Sequence, residues 1–324
     1  MKVVIEIDMR RRVAVLVEKG RIKIEEEDVP PLGERDVLIK VRACGICTGD
    51  LYAFLGYPVW FKLPAKIGHE PSGEVIEVGS KVSKIKPGDH VIALGGPSFS
   101  DYIVVNEDYV EPISKTIPFE YAIGEPLACA VNGVRLANPK FGDNVAVVGT
   151  GFMGLLLIQA LSKMGLSNLI GVDIKDERLK LAEEFGANIV LNPTYDNVEE
   201  RVKEVTNGLG CDIVIEATGN PKGVEIATKL VRKKGRLCIF SYHPNPVEVS
   251  LRDWDAKGLE IIMTCPARAE DMKLNLKIAA RMLSRGVFNL RKLVTHKWHL
   301  SEIQKAFEYA SKKPKEYIKG VIIP

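Results

Sequence analysis

The chain has 324 residues, 46% of them hydrophobic and 27% charged, with a net charge of +3. That length suits roughly two domains of about 150 residues each, and the charge balance leaves no footprint for a nucleic-acid or membrane-surface partner. No apolar run reaches the roughly 18 residues that a bilayer demands, the opening MKVVIEIDMRRR lacks a leader's cleavage site, and six cysteines without a leader point to a reducing cytoplasm.

Residues 1 to about 135 alternate short β-rich runs with Gly and Pro turns. Met9-Arg10-Arg11-Arg12 is the densest basic cluster, and a triplet of this kind is expected at a solvated turn. Strands are expected at 13–17, 22–24, 37–41, 73–79, 90–94 and 102–105. Pro30-Pro31-Leu32-Gly33 and Lys86-Pro87-Gly88-Asp89 supply turn chemistry between them. The texture changes near Phe141-Gly142-Asp143. Apolar strands at 145–148, 169–172, 189–191, 213–215 and 236–240 then alternate with amphipathic runs such as 152–164 and 176–185, the pattern of a parallel sheet with helices on both faces. From about 286 the chain returns to β character at 292–295, adds a helix over 301–311 and ends on a strand over 317–323. The expected architecture is therefore α/β, with a β-rich domain from 1–137 and 286–324 and a doubly wound domain from 138–285. Gln occurs only at Gln159 and Gln304 while Lys, Glu and Ile abound, a bias found in thermophilic proteins.

Gly149-Thr150-Gly151-Phe152-Met153-Gly154 follows an apolar strand and opens a helix, the context a dinucleotide-binding turn requires. A pyrophosphate would sit at that helix N-terminus, where free N–H groups and the helix dipole favour an anion. Roughly twenty residues on, Val172-Asp173 ends the next strand and places an acid where ribose hydroxyls would lie. The Asp173 charge favours NAD over NADP, which carries a 2′-phosphate. Lys175 and Arg178 stand close enough to soften that preference, and Arg178 is a candidate for steadying the adenosine ribose. Thr218, in Ala217-Thr218-Gly219, joins the candidate cofactor residues.

Catalytic zinc takes about three N, S or O ligands and leaves one position open. Cys47, His69-Glu70 and Glu125 are candidates, although each alone also reads as a buried thiol, a structural histidine or a helix-start acid. Cys44-Gly45-Ile46-Cys47 has no second cysteine pair downstream, which argues against a zinc knuckle.

Together Cys44-Gly-Ile-Cys47, Gly68-His69-Glu70 with Gly73 and Gly79, Lys86-Pro-Gly-Asp89, Glu125-Pro-Leu-Ala128, the glycine turn and Ala217-Thr-Gly219 resemble the zinc-dependent medium-chain alcohol dehydrogenases, within their sorbitol and threonine dehydrogenase-like branch. The resemblance covers nearly the whole chain. It implies a GroES-like catalytic domain built from both chain ends around a Rossmann domain. It also implies zinc ligands at Cys47, His69 and Glu70, with Glu125 in place of a cysteine ligand, while Cys44 falls on a packing position.

Three departures bear on function. The run 94–101 lacks the four cysteines of a structural zinc lobe, so one catalytic zinc per chain is expected. The relay hydroxyl of the family falls on Gly49, leaving Thr48 one residue earlier, and its relay histidine falls on Tyr52. In the nucleotide domain, Ser241-Tyr-His243 differs from common relatives. The resemblance implies hydride transfer between a secondary alcohol, polyol or cyclitol and NAD, in a homodimer or homotetramer. A zinc-free reductase of the same fold and a non-catalytic NAD-binding protein stay open as alternatives, and Tyr57-Pro-Val-Trp60-Phe61 reads either as pocket wall or as core.

Overall fold

The computed structural model describes residues 9–324. The first eight residues, which hold most of the opening stretch read as unlike a leader, lie outside that range. From Arg10 the chain enters a hairpin of β1 (Arg10–Glu18) and β2 (Arg21–Asp28). The basic triplet expected at a solvated turn is therefore strand. Strand alternation turns Arg11 inward and leaves Arg10 and Arg12 in solvent. Arg11 is 5% exposed, and its guanidinium is paired by Glu27 at 2.6 Å and by the Tyr102 carbonyl at 2.9 Å. A charge is tolerated inside only with such partners.

The chain continues through β3 (Asp36–Gly45), α1 (Thr48–Leu55), β4 (Ala65–Lys66), β5 (Pro71–Val78), β6 (His90–Ala93), β7 (Tyr102–Asn106) and β8 (Val110–Pro112). α2 (Gly124–Ala137) leads into strands β9 (Asn144–Val148), β10 (Asn168–Val172), β11 (Ile189–Leu191), β12 (Cys211–Glu216), β13 (Val231–Ile239) and β14 (Glu260–Met263). Between them lie α3 (Phe152–Leu161), α4 (Asp176–Glu184), α5 (Val198–Val205), α6 (Pro221–Leu230) and α7 (Leu251–Lys257). α8 (Met272–Ser284), β15 (Val294–His299), α9 (Ile303–Ser311) and β16 (Lys319–Ile323) complete the chain.

Two compact units result, one from residues through Ala128 with Lys273–Pro324, the other from Cys129–Met272. In the first unit β3 is the hub. It pairs antiparallel with β5 and β7 along its length and with β16 at Cys44 and Gly45, so that the two chain ends share one sheet. The sheet order is β15-β16-β3-β5-β6-β8 with β7 also on β3, while β4 extends the β1–β2 hairpin. The core contains fully buried Phe99 and Phe307, whose rings meet edge to face at 5.7 Å, with Phe54 of α1 against Phe307 at 5.6 Å. α1 is thereby clamped to α9 from beneath.

The second unit is a parallel sheet in the order β11-β10-β9-β12-β13-β14. Residues 145–148 of β9 are all nearly inaccessible, because helices cover both faces and remove any reason for polar alternation. The order reverses between β9 and β12, which is where an open α/β sheet forms its ligand crevice. The strand expected over 292–295 begins later, at Val294, and the terminal strand begins at Lys319. Tyr317 belongs instead to the turn before it, where its hydroxyl accepts the Gly320 N–H at 3.1 Å.

Candidate active site

Cys47 is the N-cap of α1. Its backbone is extended, its Sγ accepts the Gly49 N–H at 3.4 Å, and the Asp50 carboxylate reaches back to the Cys47 N–H at 3.4 Å. This reciprocal arrangement at a helix start holds the thiol in one orientation. His69 and Glu70 come from the segment that enters β5, and β3–β5 pairing brings that segment alongside Cys47. The donor atoms of Cys47, His69 and Glu70 all lie within 4.8 Å of one another. One sulfur, one imidazole nitrogen and one carboxylate oxygen form a donor set that suits zinc.

Two further charged groups hold the trio. Asp50, 1% exposed, sets its Oδ1 3.6 Å from His69 Nδ1 and so favours one ring orientation. Lys319 of β16, also buried, donates to Glu70 Oε1 at 2.9 Å and lies 2.6 Å from Oε2. Burial pushes the Cys47 thiol up, with His69 opposing it. At His69 burial disfavours the imidazolium, but Asp50, Cys47 and Glu125 together lift its pKa well above the usual range. Burial likewise opposes the Lys319 charge, yet Glu70 and Cys47 raise it to about 12. The site is thus half-buried, with Asp50, Glu70 and Lys319 inaccessible and Cys47 and His69 partly exposed, and its charged groups face opposite neighbours.

The other residues expected here are placed differently. Glu125 stands in the first turn of α2 and is outside the trio, although its charge acts on His69. Thr48 is exposed at the first position of α1. Tyr52 meets Tyr57 edge to face at 5.5 Å and carries Lys313 Nζ 5.7 Å over its ring. Cys44 is fully buried in the apolar core, as a packing residue would be.

In the second unit, the glycine turn joins β9 to α3. A Cβ on Gly154 would stand 1.9 Å from the Gly149 carbonyl oxygen, so only glycine lets α3 close onto the strand. At Gly151 the nearest atom to such a Cβ is Arg178 Nη1 at 3.7 Å, which leaves its backbone open to a ligand. Phe152 and Met153 are the half-buried first residues of α3. Asp173 accepts the Thr150 N–H at 2.8 Å and the Lys175 N–H at 3.0 Å, with Arg178 Nη1 3.9 Å away. It therefore braces the glycine turn as well as ending β10. These features fit a dinucleotide.

The model for the alcohol dehydrogenase GroES-like domain matches residues 33–115, and that for the zinc-binding dehydrogenase domain matches residues 153–281. An L-threonine 3-dehydrogenase of Caldanaerobacter subterraneus subsp. tengcongensis is 31% identical over 88% of this chain and 91% of its own length. The chain belongs to the zinc-type medium-chain alcohol dehydrogenases. The (R,R)-butanediol dehydrogenase of Bacillus subtilis is also 31% identical, covering 94% of this chain and 96% of its own. A solved chain from Sinorhizobium meliloti 1021 with NADP bound superimposes with a TM-score of 0.84 at 27% identity, covering 98% of this chain and all of that one. This dehydrogenase is therefore an enzyme of alcohol oxidation and carbonyl reduction that uses zinc and a nicotinamide cofactor. Among its described residues no helix is long and apolar enough to cross a membrane.

Sequence reasoning passed over three residues of this dehydrogenase. Asp50 was legible as an acid three positions after an N-cap. Lys319 was not, because 249 residues separate it from Glu70. Glu216, fully buried at the end of β12, accepts from Thr218 N at 2.7 Å, Thr218 Oγ1 at 2.5 Å and Gly219 N at 3.1 Å. Its other oxygen meets Ser241 Oγ and, at 3.2 Å, His243 Nε2. One carboxylate thus fixes the Thr218 turn and ties His243 inward, while Thr218 itself stays exposed.

Proposed function

We propose that the dehydrogenase oxidises a secondary alcohol, of polyol, cyclitol or similar type, with NAD as hydride acceptor and one zinc held by Cys47, His69 and Glu70. The convergence of those three donors within 4.8 Å carries the reading. When bound, zinc supplies Lewis acidity toward the alcohol oxygen and the nicotinamide takes up the hydride. Cys47 would hold the ion through its sulfur and His69 through an imidazole nitrogen, with Asp50 holding the ring in place. Lys319 neutralises Glu70 and keeps its carboxylate beside the pair. Glu125 adds negative charge around His69 without joining the trio. On α1, exposed Thr48 and half-buried Tyr52 one turn on are the candidate side chains for passing a proton to solvent.

Asp173 supports NAD over NADP, since its carboxylate is already committed to Thr150 and Lys175 and would oppose a 2′-phosphate; Arg178 beside it allows some NADP use. Gly149, Gly151 and Gly154 supply the pyrophosphate turn, with Phe152 and Met153 opening the helix above it and Thr218 on the neighbouring turn. A homodimer or homotetramer is supported by β14, an edge strand that exposes Ile261 and Met263. Six free cysteines suit the cytoplasm. NADH formation over a panel of polyols, cyclitols, amino alcohols and simple secondary alcohols tests the reading. Turnover with at least one class, abolished by a chelator and restored by zinc, is expected; turnover that survives full metal removal would overturn it.

A further inference from the structure

β15 and β16 run parallel, but their register slips at Thr295: Val294 stands opposite Lys319 and His296 opposite Gly320. A bulge of this kind leaves one residue without a ladder partner and re-aims its side chain. Thr295 Oγ1 accordingly accepts the Ile318 N–H at 3.1 Å, and lies 3.3 Å from the Lys319 carbonyl oxygen and 2.8 Å from His296 Nδ1. Its single hydroxyl hydrogen serves one of those two acceptors at a time. The other side of the His296 ring is fixed. Nε2 meets the Tyr309 hydroxyl of α9 at 3.1 Å, and that hydroxyl donates its own hydrogen to Glu316 Oε1 at 2.5 Å. Tyr309 therefore accepts from His296, so Nε2 carries a hydrogen and the neutral ring leaves Nδ1 bare. Three aromatic rings pack around the imidazole: Trp298 stacks on it at 5.4 Å and 15°, with Tyr309 4.9 Å and Tyr317 5.4 Å away. Burial among them disfavours the imidazolium and holds its pKa below the ordinary 6.5, with the Glu316 carboxylate opposing that effect. Its titratable and charged neighbours are thus Tyr309 from α9, Glu316 and Tyr317 from the turn before β16, and Lys319 through its backbone.

We propose that His296 is a proton-operated switch on β16, with the Thr295 hydroxyl as its moving part. In the neutral state Thr295 donates to Nδ1. On protonation Nδ1 gains a hydrogen and donates to Thr295 Oγ1, and the hydroxyl turns its own hydrogen to the Lys319 carbonyl. The Thr295 oxygen accepts one bond in the neutral form and two in the charged one, so neither state strands the hydroxyl or the ring. Acid therefore adds a hydrogen bond between the bulge and β16, at the residue whose ammonium holds Glu70. The switch goes beyond the function proposed above and does not depend on a bound metal.

Carbonyl and imidazole ¹³C NMR of the parent, followed through pH, tests this without turnover. The Lys319 carbonyl signal should shift with the same midpoint as the His296 ring; a carbonyl that stays still through that titration would overturn the switch. Thr295→Val removes the hydroxyl. It should abolish the carbonyl's movement and lower the His296 midpoint, because a charged donor loses more than a neutral acceptor does. Thr295→Ser should restore both, and an unchanged midpoint in Thr295→Val would overturn the part given to the hydroxyl. Stability supplies a second readout. A histidine pKa held below its unfolded value contributes stability that is complete above 6.5 and is lost as pH falls through the folded value. The parent should therefore lose stability relative to His296→Gln as pH falls below 6.5, read as a shrinking difference in denaturant midpoints. A difference constant with pH would show that folding does not perturb the titration of His296, and would overturn the proposal. The first test needs the parent alone, so it decides the matter even where a variant fails to fold.

Discussion

Asp101 shows how much of this protein is fixed by single side chains. Burial raises its pKa and is the largest single effect. Hydrogen bonds from the Arg12 guanidinium at 2.7 and 3.0 Å and from the Arg12 N–H at 2.7 Å outweigh it and hold the carboxyl below its ordinary value of 3.8. A depressed folded-state pKa contributes stability that is complete above the unfolded value and is lost as pH falls through the folded one. Asp101→Asn should therefore destabilise the protein at neutral pH by about 1 kcal/mol or less, given a partly exposed pair. The difference from the parent should shrink as pH falls below 3.8, which denaturant titrations at several pH values would measure. A difference that stayed constant with pH would contradict the assignment. At this scale the sequence was only partly legible. Cys47, His69 and Glu70 stood out by residue type and order, whereas Arg11 was misplaced at a turn because nothing near it in the chain announces Glu27 or the Tyr102 carbonyl. Lys319 was opaque for the same reason: it gains its meaning from a partner brought by the fold.

Elements were easier to read where periodicity is unambiguous. β9 and α3 announce themselves by an apolar run, a glycine turn and a second apolar run, and α9 by an amphipathic stripe. Boundaries slipped where tertiary pairing overrides local preference. β15 runs on to His299 because it pairs in parallel with β16, and Tyr317 is drawn into a turn by the hydroxyl–Gly320 bond. The β9–α3 joint gives a direct test. Gly154→Ala would press a methyl group against the Gly149 carbonyl at 1.9 Å. Overpacking of this kind costs about 1–3 kcal/mol of stability, so the variant should be destabilised by that amount in denaturant titrations, and the displaced turn should raise the calorimetric Kd for NADH. The metal content should not change. An unaltered Kd would show that the close approach of α3 to β9 does not shape the cofactor turn.

At the scale of the molecule, two units divide the chemistry. The first joins both chain ends through β3 and β16, and that pairing alone places Lys319 beside Glu70. The second is a doubly wound sheet whose order reverses between β9 and β12, next to the glycine turn, Asp173 and the Glu216-braced loop. That division into a β-rich and a doubly wound part was visible as a change of texture along the chain, because the two periods of hydrophobicity differ. What the texture could not convey is which distant residues meet.

The central claim is that Cys47, His69 and Glu70 together hold the metal on which alcohol oxidation depends. Elemental analysis of the purified protein, paired with NAD-linked oxidation of the best alcohol in the panel, tests it most directly in the parent, Cys47→Ser and His69→Ala. We predict about one zinc per chain in the parent and, in both variants, parallel loss of zinc and of at least about 10²-fold in kcat/KM, the lower end of the effect of removing catalytic charge stabilisation. Full zinc content in both variants, or undiminished turnover without it, would contradict the account.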